Sequence, residues 1–226
     1  MASPNPSRKV IAYVDGFNLY YGLLKDRPDL KWLNLNKLVK MLFPHYELGG
    51  VKYFTAEVED ASRKERQKMY WRALRKEGVK VIPGRLEYRE KNCGVTACMH
   101  HGPRTHRIPV EKMTDVNIAL HAVTDARNLG ADAICIISGD TDLIPAMDMI
   151  RANFKIQRFA FIPCTEAMLS YRRVDEFGMH DWETKRLKEE VLSSCRFEEE
   201  IIVADEQPII CPAAWRRAKY VPIKIN

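Results

Sequence analysis

The chain has 226 residues, 46% of them hydrophobic and 29% charged, a balance that supports a packed core and excludes a disordered polymer. It holds no run of about 20 uncharged apolar residues, which excludes a spanning helix of ordinary length. Its opening, Met1 to Lys9, has no apolar stretch of the kind a secretory signal needs. The net charge of +6 admits a polyanionic partner without requiring one. These features predict a cytoplasmic protein of one domain plus an appendage, without a membrane partner. Its six cysteines do not read as a disulfide framework in that compartment.

In chain order, residues 9–14 form a β-branched and aromatic run that stops at Asp15-Gly16 and predicts a strand. A helix is expected from about Asn18 and a short one over 35–42, before Pro44. Gly49-Gly50 opens a second strand over 50–57. Asp60 offers an N-cap for a helix running to about Glu77, with Met69, Tyr70, Ala73 and Leu74 at helical spacing. Gly78 closes that helix, and 79–82 give a third strand. Residues 84–109 break the pattern as a hairpin with a polar insertion rich in Cys, His and Gly. Order resumes in a helix over 114–129 with Val116, Ala119, Leu120, Val123 and Ala126 on one stripe. Residues 131–137 are the fourth strand. A helix follows Ser138-Gly-Asp-Thr-Asp142 to about Ala152, and 155–162 are the fifth strand. Past Ala167 the signals weaken to a helix over 182–194 and a basic tail around Trp215 to Lys219.

Strands that alternate with helices imply a mostly parallel sheet covered on both faces, that is, a three-layer α/β/α sandwich. The expected organisation is a tail over 1–8, a domain over 9–175 that includes the 84–109 insertion, and a C-terminal extension over 176–226.

Ligands of such sheets bind beyond the carboxyl ends of the strands, and acids stand at those addresses. Asp15 leaves the first strand, Asp140 and Asp142 leave the fourth, and Asp115 opens the helix that leads into the fourth. Each has a bland reading: Asp-Gly is a common turn pair, and acids cap helices and favour their first turns. Capping does not explain why they gather at the two strands expected to be central. Two unit charges about 4 Å apart repel by about 4 kcal/mol at an effective dielectric near 20, so protonation or a cation must relieve the cluster. Oxygen donors without His or Cys favour Mg²⁺ or Mn²⁺, and such an ion supports hydrolysis of a phosphodiester.

Val14-Asp-Gly-Phe-Asn18, Glu111-Lys-Met-Thr-Asp115-Val and Ile137-Ser-Gly-Asp-Thr-Asp142-Leu together resemble, in order, the three signature segments of NYN-domain proteins. These belong to the PIN-like nuclease superfamily, and the likeness is strongest to the LabA/DUF88-type branch. It spans roughly residues 8 to 175. The resemblance implies strand order 3-2-1-4-5 and a metal-dependent nuclease, an endoribonuclease, in which Asp15, Asp115, Asp140 and Asp142 hold Mg²⁺ or Mn²⁺ and Asn18 lines the same site. One departure stands out: Met113 occupies a place that is often Gly in the family. On this reading Asn18 touches phosphate or holds an acid, Ser138 and Thr141 donate to a carboxylate or to the substrate, and Lys112 neutralises developing charge.

Cys93-x4-Cys98-x-His100-His101-x4-His106 holds thiols and imidazoles at spacings near those of zinc sites. Cys93, Cys98, His101 and His106 are the candidate ligands of a structural Zn²⁺; the alternative is a polar loop with solvated histidines. Arg85, Arg89, Arg104 and Arg107 flank this insertion and are candidate substrate contacts. Seven cations also crowd residues 63–76, where Tyr70 and Trp71 are read as core side chains. The function expected is hydrolysis of single-stranded or structured RNA, with a second copy of the chain as a further candidate partner. The competing class is a non-catalytic RNA-binding or regulatory module. A haloacid-dehalogenase-type phosphohydrolase is disfavoured because Phe17 stands where a second Asp is needed, and a dinucleotide site because the Gly-x-Gly-x-x-Gly loop is missing.

Overall fold

The computed structural model describes residues 8–94, 102, 105–128, 130–164, 182–204 and 206–217. Strand β1 (Lys9–Asp15) is central because both of its faces are apolar. Val10, Ala12 and Val14 enter one core, and Ile11 and Tyr13 enter the other, as the period-two alternation of a strand dictates. On the first side lie α1 (Gly16–Leu19), which runs on into a π-helical turn (Tyr20–Leu24), then α2 (Leu35–Leu42) and α3 (Ala61–Lys76). They bury Leu23, Leu38, Tyr70, Trp71 and Leu74. On the second side α4 (Thr114–Asn128) and α5 (Ile144–Asn153) bury Ile118, Ala122, Met147 and Ile150. This is the expected three-layer α/β fold.

The sheet joins β1 to β2 (Glu47–Ala56), β3 (Lys80–Asn92), β4 (Thr105–Lys112), β5 (Ala133–Ile137), β6 (Gln157–Pro163) and β7 (Glu183–Leu187). Their order is β4-β3-β2-β1-β5-β6-β7, and every pairing is parallel except β3 with β4. The five strands expected from the sequence thus stand in the order 3-2-1-4-5. Register places Val14 beside Ile137 and Asp15 beside Phe54, so the carboxyl ends of β1 and β5 abut. As expected, the Asp60 side chain caps α3, accepting from the Arg63 amide at 2.8 Å.

Two elements differ from the expectation. The third strand does not end at 82: β3 continues through Pro83 and Gly84 to Asn92. Pro83 is tolerated because β3 pairs with β2 only to Gly84 and with β4 only from Arg85. The proline therefore sits where its other edge is open. The helix expected over 182–194 is instead strand β7 followed by a short helix, α6 (Glu189–Ser194). Glu183-Thr-Lys-Arg reads as helical by composition, but charged side chains also blunt the edge of a sheet, which is the place β7 takes.

The chain beyond β7 closes the first core. Trp32 packs against Phe197 at 5.5 Å and Trp215 at 6.4 Å, and its indole N–H donates to the Glu198 carbonyl at 2.8 Å. Leu192, Phe197, Ile209 and Cys211 are buried with Val14 and Leu74. At the other end of the same core, Gly22 of the π-helical turn meets the last residue of β6 so closely that a Cβ would overlap the Pro163 carbonyl oxygen.

Candidate active site

Asp15 is the last residue of β1 and is 1% exposed. By strand alternation it continues the Ile11–Tyr13 side, where α4 begins. Gly16 must follow it without a side chain, because a Cβ would come within 3 Å of the Phe54 carbonyl and the Tyr53 hydroxyl. The Asp15 carboxylate is held from both neighbouring turns. Its Oδ1 accepts from the Asn18 amide at 2.9 Å, and its Oδ2 accepts from Asn18 Nδ2 at 2.8 Å and from Ser138 Oγ at 2.9 Å. Asn18 Oδ1 in turn accepts from the Gly139 amide at 3.2 Å. Ser138 Oγ accepts from the Asp140 amide at 3.1 Å, and Asp140 Oδ1 accepts from the Asp142 amide at 3.0 Å. The turns after β1 and β5 are therefore one hydrogen-bonded unit with Asp15 at its centre.

The capping readings hold for Asp15 and Asp140. Asp15 is the N-cap of α1, and Asp140 caps the 3-10 turn Thr141–Leu143. Asp115 stands in the first turn of α4. Burial raises the Asp15 carboxyl above the usual carboxylate range, and the nearby Asp140 adds to that against three lowering hydrogen bonds. Burial pushes Asp115 up to about 6, with further push from Asp140, Asp15 and Asp142. The four acids predicted from the sequence thus share one electrostatic neighbourhood.

A fifth acid belongs to it. Burial pushes Glu111, near the end of β4, up to about 8, and Asp15, Asp115 and Asp140 raise it further while the Thr114 amide hydrogen-bonds to it. Its Oε1 is buried without a hydrogen-bond partner among the described residues, as is Thr114 Oγ1. Gly84 opposite leaves room for both, since a Cβ there would stand 3.0 Å from each. No strand end or helix start marks Glu111 in the sequence; its place at the site depends on β4 delivering the chain to α4. Met113, in the family's frequent glycine position, has φ 78°, the left-handed backbone that a glycine would adopt freely.

Among the described residues no three His, Cys, Asp or Glu side chains are close enough to enclose one ion. The donor chemistry nevertheless suits a divalent cation: five carboxyls and no imidazole or thiol, three of them raised by burial and mutual repulsion, one with an orphaned buried oxygen.

The other predicted residues divide. Ser138 and Asn18 bind Asp15. Thr141 opens the 3-10 turn beside Asp140, and Lys112 ends β4 next to Glu111. Arg85 lies near Glu87 at 3.8 Å and Arg107 stacks on Tyr88 at 4.8 Å, both on the β3–β4 ribbon with the exposed Arg89. Cys98, His101 and Arg104 lie outside the described residues; Cys93 is a free, half-buried thiol and His106 is exposed opposite Lys91. Tyr70 and Trp71 are buried, as read from the sequence.

Residues 9–177 match the NYN domain family. The chain belongs to that family. Its membership is consistent with a PIN-like domain over these residues. The NYN protein is also similar to 6-hydroxy-3-succinoylpyridine 3-monooxygenase HspA of Pseudomonas putida, with 29% identity over 238 aligned residues that cover 90% of this chain and 74% of the relative. Its fold resembles the crystal structure of a Vibrio parahaemolyticus protein of unknown function, at a TM-score of 0.51 and 17% identity over 84% of this chain and 98% of the other. Among the described residues no helix is long and apolar enough to cross a membrane.

Proposed function

We propose that this NYN protein is a metal-dependent endoribonuclease, with Asp15, Asp115, Asp140 and Asp142, joined by Glu111, holding Mg²⁺ or Mn²⁺. The observation that carries the reading is that burial raises Asp15, Asp115 and Glu111, acids drawn from β1, α4 and β4, and that Asp140 adds to the rise of all three. Carboxyls within one another's field are costly unless protonated or neutralised. The chemistry a divalent cation brings to such a site is neutralisation of phosphate charge and acidification of a water. The chain's own part is positional. Asn18 and Ser138 fix the Asp15 carboxylate, and the Asp140–Ser138–Asp15 relay keeps the two turns in register. Burial and the neighbouring acids push Glu111 up to about 8 in the metal-free chain, and a bound cation would relieve that repulsion. Lys112, Thr141, Arg85, Arg89 and Arg107 are the candidate contacts to RNA, to which Arg104 is added from the sequence.

Purified protein with labelled RNA and Mn²⁺ tests this. Cleavage is expected with Mn²⁺ or Mg²⁺, none in EDTA, and at least a hundred-fold loss in Asp140→Ala, in line with removing one electrostatic contributor of about 2.7 kcal/mol or more. Undiminished cleavage in that variant, or cleavage in EDTA, overturns the site. Asp140→Ala is a cleaner probe than Asp15→Ala, which also deletes a buried helix cap. A second reading, favoured by the name of the Pseudomonas relative and its 90% coverage, is oxygenation of a hydroxylated pyridine. Oxygen-dependent turnover of such a pyridine with a reductant, and no RNA cleavage, would establish it.

A further inference from the structure

The helix that Asp15 caps does more than hold that carboxylate. Between Gly16 and Leu24 the chain changes from an α-helical turn to a π-helical one, and single π-helical turns are rare and favour functional sites. The turn brings three aromatic side chains together. Phe17 and Tyr21 lie 5.8 Å apart, and Tyr20 meets Tyr21 edge-on at 5.1 Å. Tyr21 is 50% exposed, whereas most large rings among the described residues are buried. Cations frame the group. The Lys25 ammonium stands 5.8 Å from the Tyr21 ring and the Lys31 ammonium 5.1 Å from the Tyr20 ring.

We infer that this helix is a stacking platform for single-stranded RNA, with Tyr21 and Phe17 offering ring faces to bases and Lys25 and Lys31 meeting the phosphates. The inference rests on the nuclease reading only for what happens next at the acids; the binding it describes stands by itself. Three observations point to this ligand. An exposed ring beside two half-buried ones, flanked by cations, suits a chain that is both anionic and unpaired, because every base presents a π-face only when it is out of a duplex. Lys31 lies in a positive field: burial and the neighbouring Arg63 and Arg66 of α3 make its ammonium harder to keep charged, with Asp26 the one acid acting the other way. An anion arriving there would relieve both lysine and arginines. Finally, Asn18, which grips Asp15, lies on the same helical stretch, about 4.5 Å along the axis from Tyr21 at 1.5 Å per residue. A base seated on the platform would thus place the adjoining phosphates near the acidic site.

The test uses the full chain and fluorescence anisotropy with a labelled single-stranded RNA in EDTA, so that binding is read without cleavage. Tyr21→Ala is expected to raise Kd about ten-fold, the scale of one lost base–aromatic stack. Tyr21→Phe should stay within about two-fold of the parent, because the ring is retained. A duplex of the same sequence should bind Tyr21→Ala and the parent equally. Lys25→Ala should weaken binding and lower the salt slope by about one phosphate contact. Mn²⁺-dependent hydrolysis of bis(p-nitrophenyl) phosphate, too small to reach the platform, reads the acids alone and should be lost in Asp140→Ala. Equal single-strand affinity in Tyr21→Ala and the parent, or an equal loss for duplex RNA, overturns the platform. Weaker RNA binding in Tyr21→Ala with no phosphodiester hydrolysis by the parent supports the platform while rejecting the nuclease chemistry.

Discussion

Glu111 and Asp115 are acids that keep their protons more tightly in the folded chain than outside it, and the sign of that preference fixes a pH dependence. Their folded values, about 8 and about 6, lie above the ordinary 4.5 and 3.8. The stability tied to them is therefore complete at low pH and is lost as pH rises, first through about 6 and then through about 8. In EDTA, the melting temperature should fall between pH 6 and 8.5, and it should fall less in Glu111→Gln, whose amide does not ionise. Mn²⁺ should restore the parent at pH 8.5 by binding only the folded state. Parallel profiles for the parent and Glu111→Gln would count against the acidic cluster. Met113 offers a second prediction at this scale. It is 55% exposed and holds φ 78° at the entry to α4, a conformation that costs a side chain roughly 1–2 kcal/mol and glycine almost nothing. After allowance for the looser unfolded chain, Met113→Gly should stabilise by about 0.5–1 kcal/mol, read as a higher urea midpoint at unchanged m-value. The candidate acids Asp15, Asp115, Asp140 and Asp142 were legible because each stands at a recognisable strand end or helix start. Glu111 was not, since its place depends on which strand precedes α4.

At the scale of elements, α4 is fastened to the sheet by a polar pin inside an apolar contact. Tyr13 of β1 donates to Asp125 of α4 at 2.7 Å, and Lys52 of β2 forms an ion pair with the same carboxylate. Lys52 also approaches His121 Nδ1 at 3.3 Å. The paired side chains are only 13% and 8% exposed, so removing one strands the other away from water. Asp125→Ala should cost about 3 kcal/mol or more in chemical denaturation. A double replacement of Lys52 and Asp125 by Met and Leu should recover most of that loss, because the unpaired charge is gone. This network was hidden in the sequence: Tyr13 read as a strand residue, and nothing local to Asp125 distinguishes it from a solvated helix acid. Elements themselves were legible where apolar periodicity is strong, as in β1, β5 and α4. They were misread where charge dominates, as in β7, because a charged edge strand and a charged helix have the same composition.

For the molecule as a whole, the parallel order of the sheet follows from the alternation of elements, but the limits of the domain do not. The family match ends at residue 177, whereas the core takes in Leu187, Leu192, Phe197, Ile209 and Cys211. Each such side chain contributes about 1.5–3 kcal/mol when fully buried, against a total stability of about 5–15 kcal/mol for a typical domain. A chain ending at residue 177 should therefore lack cooperative unfolding and native amide protection, while one ending at residue 217 should keep both; circular dichroism and hydrogen exchange decide between them. The weak signals past Ala167 concealed this dependence, since short polar segments that lean on a distant tryptophan leave no periodicity of their own. Gly22 ties the parts into one mechanical body. With no space for even a methyl group against the Pro163 carbonyl, the tyrosine-bearing turn rides on the tip of β6 as a ledge mortised into a wall. Any distortion of that strand end is transmitted to Tyr21 and Asn18 together, so the place where a strand of RNA would rest and the carboxylate beside its backbone stay aligned as a single unit.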